Sequence, residues 1–237
     1  MWPRRLCMQV STIGIRYAGL KGARMTRITV IGGTGYAGSA IVAEAAKRGH
    51  EVTAVSRTEP SEPIAGVTYV QGSAMDADVR ARAFDGAYAV ITATAPRGAM
   101  ADQQLELSEA LASRAGASGV RLIVVGGYSS LRPAPGKPRF IEGFIRSEYL
   151  EEAKVGHAVL EMLMAEPFEL DWTFVSPAQT FGALAPGPAT GKYRLGGDVA
   201  ILDKDGKSFV SAPDFAMAVV DLVDAAGHRR EHVSVVG

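Results

Sequence analysis

The chain has 237 residues, 47% of them hydrophobic, enough to bury one substantial core in a single domain. Lysine plus arginine equals aspartate plus glutamate at 25 each, so overall charge offers nothing to a nucleic-acid backbone. A single cysteine, Cys7, excludes an intramolecular disulfide and suits a reducing compartment, and no apolar run approaches the roughly 18 residues of a membrane span.

The charge is unevenly placed. Residues 1–24 hold five basic residues (Arg4, Arg5, Arg16, Lys21 and Arg24) and no acid, leaving 20 basic against 25 acidic residues in the remainder. This segment reads as a basic N-terminal extension, poorly ordered, ahead of a single domain over residues 25–237, with Met25 the natural start of that domain. Its composition is also loosely that of an organellar transit peptide.

The β-branched run Ile28-Thr29-Val30-Ile31 enters a glycine cluster, Gly32-Gly33-Thr34-Gly35-Tyr36-Ala37-Gly38, and an alanine-rich helical pattern follows from Ser39 to about Arg48. Both Gly33-x-Gly35-x-x-Gly38 and Gly32-x-x-Gly35-x-x-Gly38 fit a phosphate-binding turn. Strand before and helix after are what lift this common pattern to a dinucleotide site. Glycines there take backbone angles closed to other residues and let the main chain approach a pyrophosphate, while the helix start offers free amides and its positive dipole end.

The next strand, Glu51 to Arg57, sharpens the cofactor choice. An NAD site usually ends this strand in an acid that accepts from the ribose 2′-hydroxyl. Here Ser56, Arg57 and Thr58 supply hydroxyls and a guanidinium, which suit a 2′-phosphate. NADP (as NADPH) is therefore the expected cofactor, with NAD the second choice.

Strand and helix keep alternating. A strand at 67–71 leads to Gly72-Ser73-Ala74, a helix spans 76–84, and a strand at 87–92 closes in Ala93-Thr94-Ala95-Pro96. A helix over 100–115 precedes a strand at 120–125 that ends in Gly126-Gly127-Tyr128-Ser129-Ser130. A Pro- and Gly-bearing loop at 131–148 is followed by a helix at 149–164 and a strand at 172–175 ending at Ser176-Pro177. Short strands are predicted at 193–195, 200–202 and 208–210, with Asp203-Lys204-Asp205-Gly206 as a hairpin turn, then a helix at 215–226 and a strand at 233–236. This pattern predicts an α/β fold: a Rossmann-like doubly wound parallel sheet, helices on both faces, and a small C-terminal region on the substrate side. Ligands then sit outside the carboxyl ends of the strands, so residues 32–38, 56–58, 93–97, 126–130 and 176–182 should ring one site.

Two side chains are candidates for catalysis. Tyr128 stands at a strand's carboxyl end, where a phenol can orient a carbonyl or donate a proton. Lys154 borders the apolar stripe Val155, Ala158, Val159 and Met162, from which it is expected to reach the cofactor; His157, one turn on, is expected to face solvent. The four histidines lack ligand spacing with acids or cysteines, so no metal site is predicted.

The glycine turn, Val55-Ser56-Arg57, the glycines at 126–127, Asp171-Trp172-Thr173-Phe174-Val175-Ser176-Pro177, Gly191-Lys192-Tyr193-Arg194-Leu195-Gly196 and Ser211-Ala212-Pro213-Asp214-Phe215-Ala216 together resemble an atypical short-chain dehydrogenase/reductase. More narrowly, residues 25–236 are similar to the NAD(P)H-binding family that includes NADH-flavin-reductase-like and biliverdin-IXβ-reductase-like proteins. The resemblance implies reduction of a flavin, quinone or similar acceptor. It implies that Gly32, Gly33, Thr34, Gly35, Tyr36, Ala37 and Gly38 cradle the pyrophosphate and that Ser56 and Arg57 hold the 2′-phosphate. Ser73 and Ala74 would flank the adenine, Thr94, Ala95 and Pro96 line the cofactor, and Ser176 and Pro177 meet the nicotinamide. Two departures stand out. Many relatives carry aspartate at the Ser73 position, and Tyr149 and Lys154 are five apart, one residue beyond the Tyr-x-x-x-Lys spacing of the wider superfamily. The expected function is an NADPH-dependent oxidoreductase of the cytoplasm acting on a small-molecule acceptor. An NADP-binding redox sensor without turnover and an NAD(P)-dependent epimerase or dehydratase are the alternatives.

Overall fold

Strands that are apolar on both faces need cover on both, and this requirement decides the architecture. In the computed structural model, Ile28 and Val30 of the first strand pack into one core and Ile31 into the other; Ile123 and Leu122 divide the same way, as do Val175 and Phe174. The structure describes residues 25–143, 145–165 and 169–237, apart from the side chain of Ser147; the expected N-terminal extension lies outside the described residues.

The strands are β1 (Arg27–Ile31), β2 (Glu51–Ser56), β3 (Thr68–Gln71), β4 (Ala89–Thr92), β5 (Arg121–Val125), β6 (Trp172–Ser176), β7 (Arg194–Gly196) and β8 (Glu231–Val236). They form one sheet in the order β3-β2-β1-β4-β5-β6-β8-β7, parallel except for β7 against β8. The chain runs outward from β1 to β3, then returns to place β4 on the other side of β1. That reversal opens a crevice at the carboxyl ends of β1 and β4.

The helices are α1 (Tyr36–Lys47), α2 (Ala77–Phe84), α3 (Gln104–Ser118), α4 (Ser147–Ala165) and α5 (Ala212–Ala225). Helices α1 and α5 cover one face, and α2, α3 and α4 the other. α5 is entered through Ser211, whose hydroxyl accepts from the Asp214 amide at 3.2 Å, with a proline in the first turn.

Helices α1 and α5 are tied by an ion cluster at the end of α1. The Arg48 guanidinium donates to Glu44 at 2.8 Å, Asp221 at 2.5 Å and Asp224 at 3.1 Å. Tyr193 donates its phenolic proton to the second oxygen of Asp221. Burial works against the guanidinium's charge, but the hydrogen bonds to Glu44 and Asp221 outweigh it and raise the pKa above its ordinary value.

Several predicted boundaries shift for local reasons. α1 starts at Tyr36, inside the glycine turn, and α3 starts at Gln104 after a separate 3-10 turn at Gly98–Met100. The strands expected at 200–202 and 208–210 do not form. The turn between them does, with Asp203 accepting from the amides of Asp205 and Lys207. The flanking chains diverge, because Arg132 pairs with Val199 and Thr180 with Phe209 in single bridges. Alternation alone could not show that these segments close loops across the sheet's end. Among the described residues, no helix is long and apolar enough to cross a membrane, and no cluster of ligating side chains could hold a metal ion.

Candidate functional site

The crevice at the switch point is a groove of about 220 Å³, walled by the exits of β1, β2, β3 and β4 and the first turns of α3. Its floor is the glycine turn. Gly32 sits at φ +81°, in the left-handed region, and its amide and that of Gly33 both donate to Val55 O, at 2.8 and 3.2 Å. At Gly38 a Cβ would lie 2.0 Å from Gly32 O, so α1 can begin against the turn only with glycine there. The first-turn amides of Tyr36, Ala37 and Gly38 have no intrahelical acceptor, as at any helix start, and the helix dipole adds positive character. This arrangement fits a pyrophosphate.

Beyond the floor, Thr34 and Thr58 bring their hydroxyls to 3.3 Å. Ser56 donates its hydroxyl proton to Thr58 O, so it faces the groove as an acceptor. Arg57 is exposed and lines the groove, and its guanidinium forms no salt bridge with the described residues. Ser73 shapes the opposite wall, its hydroxyl accepting from the Met75 amide at 3.2 Å. Thr94 accepts from the Gln104 side-chain amide at 3.0 Å and lies 3.0 Å from the Thr92 hydroxyl. Met75, Met100 and Leu107 supply apolar wall.

The structure therefore gathers Gly32, Thr34, Gly35, Ser56, Arg57, Ser73, Ala74, Thr94 and Ala95 around one groove. Gly33 turns inward against Ala54, while Tyr36, Ala37, Gly38 and Pro96 stand behind the lining. Arg97, within the 93–97 segment expected to ring the site but given no cofactor contact there, also lines the groove. It lies at the end of the strand-exit segment and is forked on Glu152 of α4 at 2.6 and 2.8 Å; those hydrogen bonds raise its pKa.

The nicotinamide-side and catalytic expectations fare differently. Ser176 and Pro177 are buried; the Ser176 hydroxyl donates to Gly127 O at 2.8 Å and lies 2.8 Å from His232 Nε2, so it faces inward and not into the groove. Lys154 is exposed and donates to Glu151 at 2.8 Å. The buried stripe of α4 runs through Ala153, Val159, Leu160 and Leu163, which turns Lys154 outward. His157, expected at the surface, is half-buried 3.6 Å from Glu161, and burial lowers its pKa. Tyr128 opens a 3-10 turn at the exit of β5 and stacks on Phe140, centroids 4.9 Å apart, with burial raising the phenol's pKa.

His232 on β8 is the most strongly perturbed of these groups. Burial first, and the charge of Arg139 second, push its pKa down to about 3. A histidine held neutral in the fold contributes stability that is fully present above its unfolded value near pH 6.5 and is lost as pH falls toward the folded value. His50 and His157, also lowered, act in the same direction. We expect the melting temperature to fall by roughly 4–8 °C between pH 7 and pH 5, from about 2 kcal/mol of His232 linkage at pH 5. A flat calorimetric profile over that range would refute it.

Fold and groove together define a nicotinamide-dinucleotide-binding protein of Rossmann type. Residues 32–226 match the NAD(P)H-binding family model, and the chain belongs to that family. Three solved structures are similar over nearly their whole length. A proposed exported protein from Burkholderia pseudomallei is 34% identical, with 90% of this chain and 100% of that chain covered and a TM-score of 0.78. A proposed NADH-flavin reductase from Streptococcus pneumoniae is 31% identical, with 89% and 99% covered and a TM-score of 0.77. A proposed epimerase from Bacteroides thetaiotaomicron is 32% identical, with 90% and 97% covered and a TM-score of 0.79.

Proposed function

We propose that the chain is an NADPH-dependent reductase that passes hydride to a flavin, quinone or similar small acceptor. The observation that carries this reading is the charge of the groove. Arg57, just past the end of β2, forms no salt bridge among the described residues, and no aspartate or glutamate is among the described lining residues. An acid there would accept from a ribose 2′-hydroxyl and repel a 2′-phosphate; the Arg57 guanidinium does the reverse. When bound, the dinucleotide supplies the hydride. The chain's part is placement: the α1 amides hold the pyrophosphate, Arg57 holds the 2′-phosphate, and Thr94 and Ala95 lie along the path toward the exit of β5. Tyr128, at that exit and protonated at neutral pH, is the proton donor in this reading, and Lys154 is assigned no role.

The pairing of Lys154 with Glu151 favours one second reading, an NADP-binding sensor without turnover. An epimerase or dehydratase ranks third, because a C-terminal region whose added strand has three residues leaves little room for a nucleotide sugar. We place the protein in the cytoplasm, a compartment that suits its single cysteine.

The test is a titration of the purified protein with NADPH and with NADH, read by nicotinamide fluorescence, followed by addition of FMN and of a quinone. NADPH binding with acceptor-dependent oxidation is the expected result. Binding without oxidation by any acceptor would transfer the case to the sensor, and preference for NADH would overturn the cofactor assignment.

A further inference from the structure

Beside the groove, at the exits of β5 and β6 and the start of β8, lies a second group of buried polar side chains centred on Arg139. This arginine belongs to the 131–146 segment yet is buried. Its guanidinium donates to Ser130 O at 2.6 Å, meets His232 Nδ1 at 3.2 Å and lies 3.6 Å from Asp198, which also accepts from Arg132 at 2.9 Å. Its own amide donates to Glu142 at 2.6 Å. One side chain thus joins the exit of β5, strand β8 and the loop after β7.

The chemistry of these contacts gives them a direction. A guanidinium has donors and no acceptor, so His232 Nδ1 must accept from Arg139. The proton of the neutral ring then sits on Nε2 and is donated to Ser176 Oγ at 2.8 Å. With its lone pair taken, Ser176 sends its hydroxyl proton to Gly127 O at 2.8 Å. Phe174 supports the same region: its ring meets that of His232 edge-on at 5.1 Å and occupies the space where a Cβ on Gly126 would lie.

We propose that Arg139, His232 and Ser176 form a directional hydrogen-bond relay that sets the backbone at Gly127–Ser130, where the acceptor docks beside Tyr128, with Arg139 as its positioning residue. The inference rests on the reductase reading for what that backbone does. Arg139 holds the segment from both sides, through Ser130 O directly and through Gly127 O by way of His232 and Ser176. Released from it, the peptide groups on either side of Tyr128 lose two of their fixed acceptor contacts, and the ring loses its set angle toward the acceptor. The dinucleotide groove, built by β1 to β4 and α1, is untouched.

The test compares Arg139→Met, which removes every donor at similar bulk, with Arg139→Lys, which keeps a charged donor. For Arg139→Met the NADPH Kd should stay within about twofold of wild type while kcat with FMN falls roughly tenfold or more, as misplacement of reacting groups predicts. The lysine variant should recover part of that loss. A lower melting temperature with unchanged kcat and unchanged KM for FMN would reduce Arg139 to a structural residue and overturn the proposal. If Arg139→Met does not fold, Ser176→Ala, one oxygen smaller, makes the same comparison at the other end of the relay. Nitrogen NMR of the wild type should find the His232 proton on Nε2 at neutral pH; a proton on Nδ1 would overturn the relay's direction. Wild-type protein that oxidises no NADPH with FMN or a quinone would sink the reductase reading instead. In that case amide exchange at Gly127–Ser130 decides: faster exchange in Arg139→Met upholds the relay, and unchanged exchange overturns it.

Discussion

Replacing Arg57 with aspartate should weaken NADPH binding by roughly 100-fold or more while leaving NADH binding within about threefold. A hydrogen bond between charged groups is worth about 1.5–3 kcal/mol, and the substituted carboxylate adds repulsion against the 2′-phosphate in place of attraction. Among the described residues Arg57 forms no salt bridge that would have to break before it met the phosphate. The new acid would also stand where NAD sites carry theirs, next to a Ser56 hydroxyl whose proton is already donated to Thr58 O. Fluorescence titrations of the two cofactors measure the ratio directly. An equal loss for both would show that residue 57 shapes the groove without reading the phosphate.

The second large effect is expected far from the groove. Arg48→Met should cost about 3–5 kcal/mol, seen as a fall of roughly 6–20 °C in melting temperature. Three carboxylates converge on this one guanidinium, and the side chains of Asp221 and Asp224 are 4% and 3% exposed. Methionine keeps much of the bulk but leaves those acids facing each other, with the Tyr193 phenol on Asp221 and the His50 ring 3.3 Å from Asp224 as remaining company. Stranded buried charge, more than lost packing, is what makes the change costly. Differential scanning calorimetry of the variant against wild type tests it, and a change under about 1 kcal/mol would mean that water reaches the cluster freely.

The parts of the site that were legible in the sequence are local ones. The β1 run, the turn and α1 follow one another within twenty residues, and Arg57 follows the strand that the turn itself contacts through Val55 O. Short continuous apolar runs alternating with helical patterns revealed the parallel strands, because helices cover both faces of the sheet. What was not legible depends on partners far apart in the chain. Nothing near His232 announces that it meets Arg139, 93 positions earlier, or that Ser176 is consumed by both His232 and Gly127 O. Lys154 faces solvent because the expected stripe of α4, Val155, Ala158, Val159 and Met162, shares only Val159 with the buried one at Ala153, Val159, Leu160 and Leu163. The segment 200–202 has the apolar run of a strand, yet its neighbourhood holds a lone bridge from Val199 to Arg132, and that pairing is invisible in composition.

The clamp between α1 and α5 carries a consequence for how the protein is made. Arg48 and Asp221 are 173 positions apart, so the helix that presents its amino end to the dinucleotide cannot be anchored until most of the chain has left the ribosome. The phosphate turn precedes by about 180 residues the helix that anchors α1 behind it. A chain truncated before α5 would hold every groove residue and still leave α1 without its Asp221 and Asp224 anchors. We expect such a chain to bind dinucleotide more weakly than the full one, because the helix that meets the phosphates is not fixed in place.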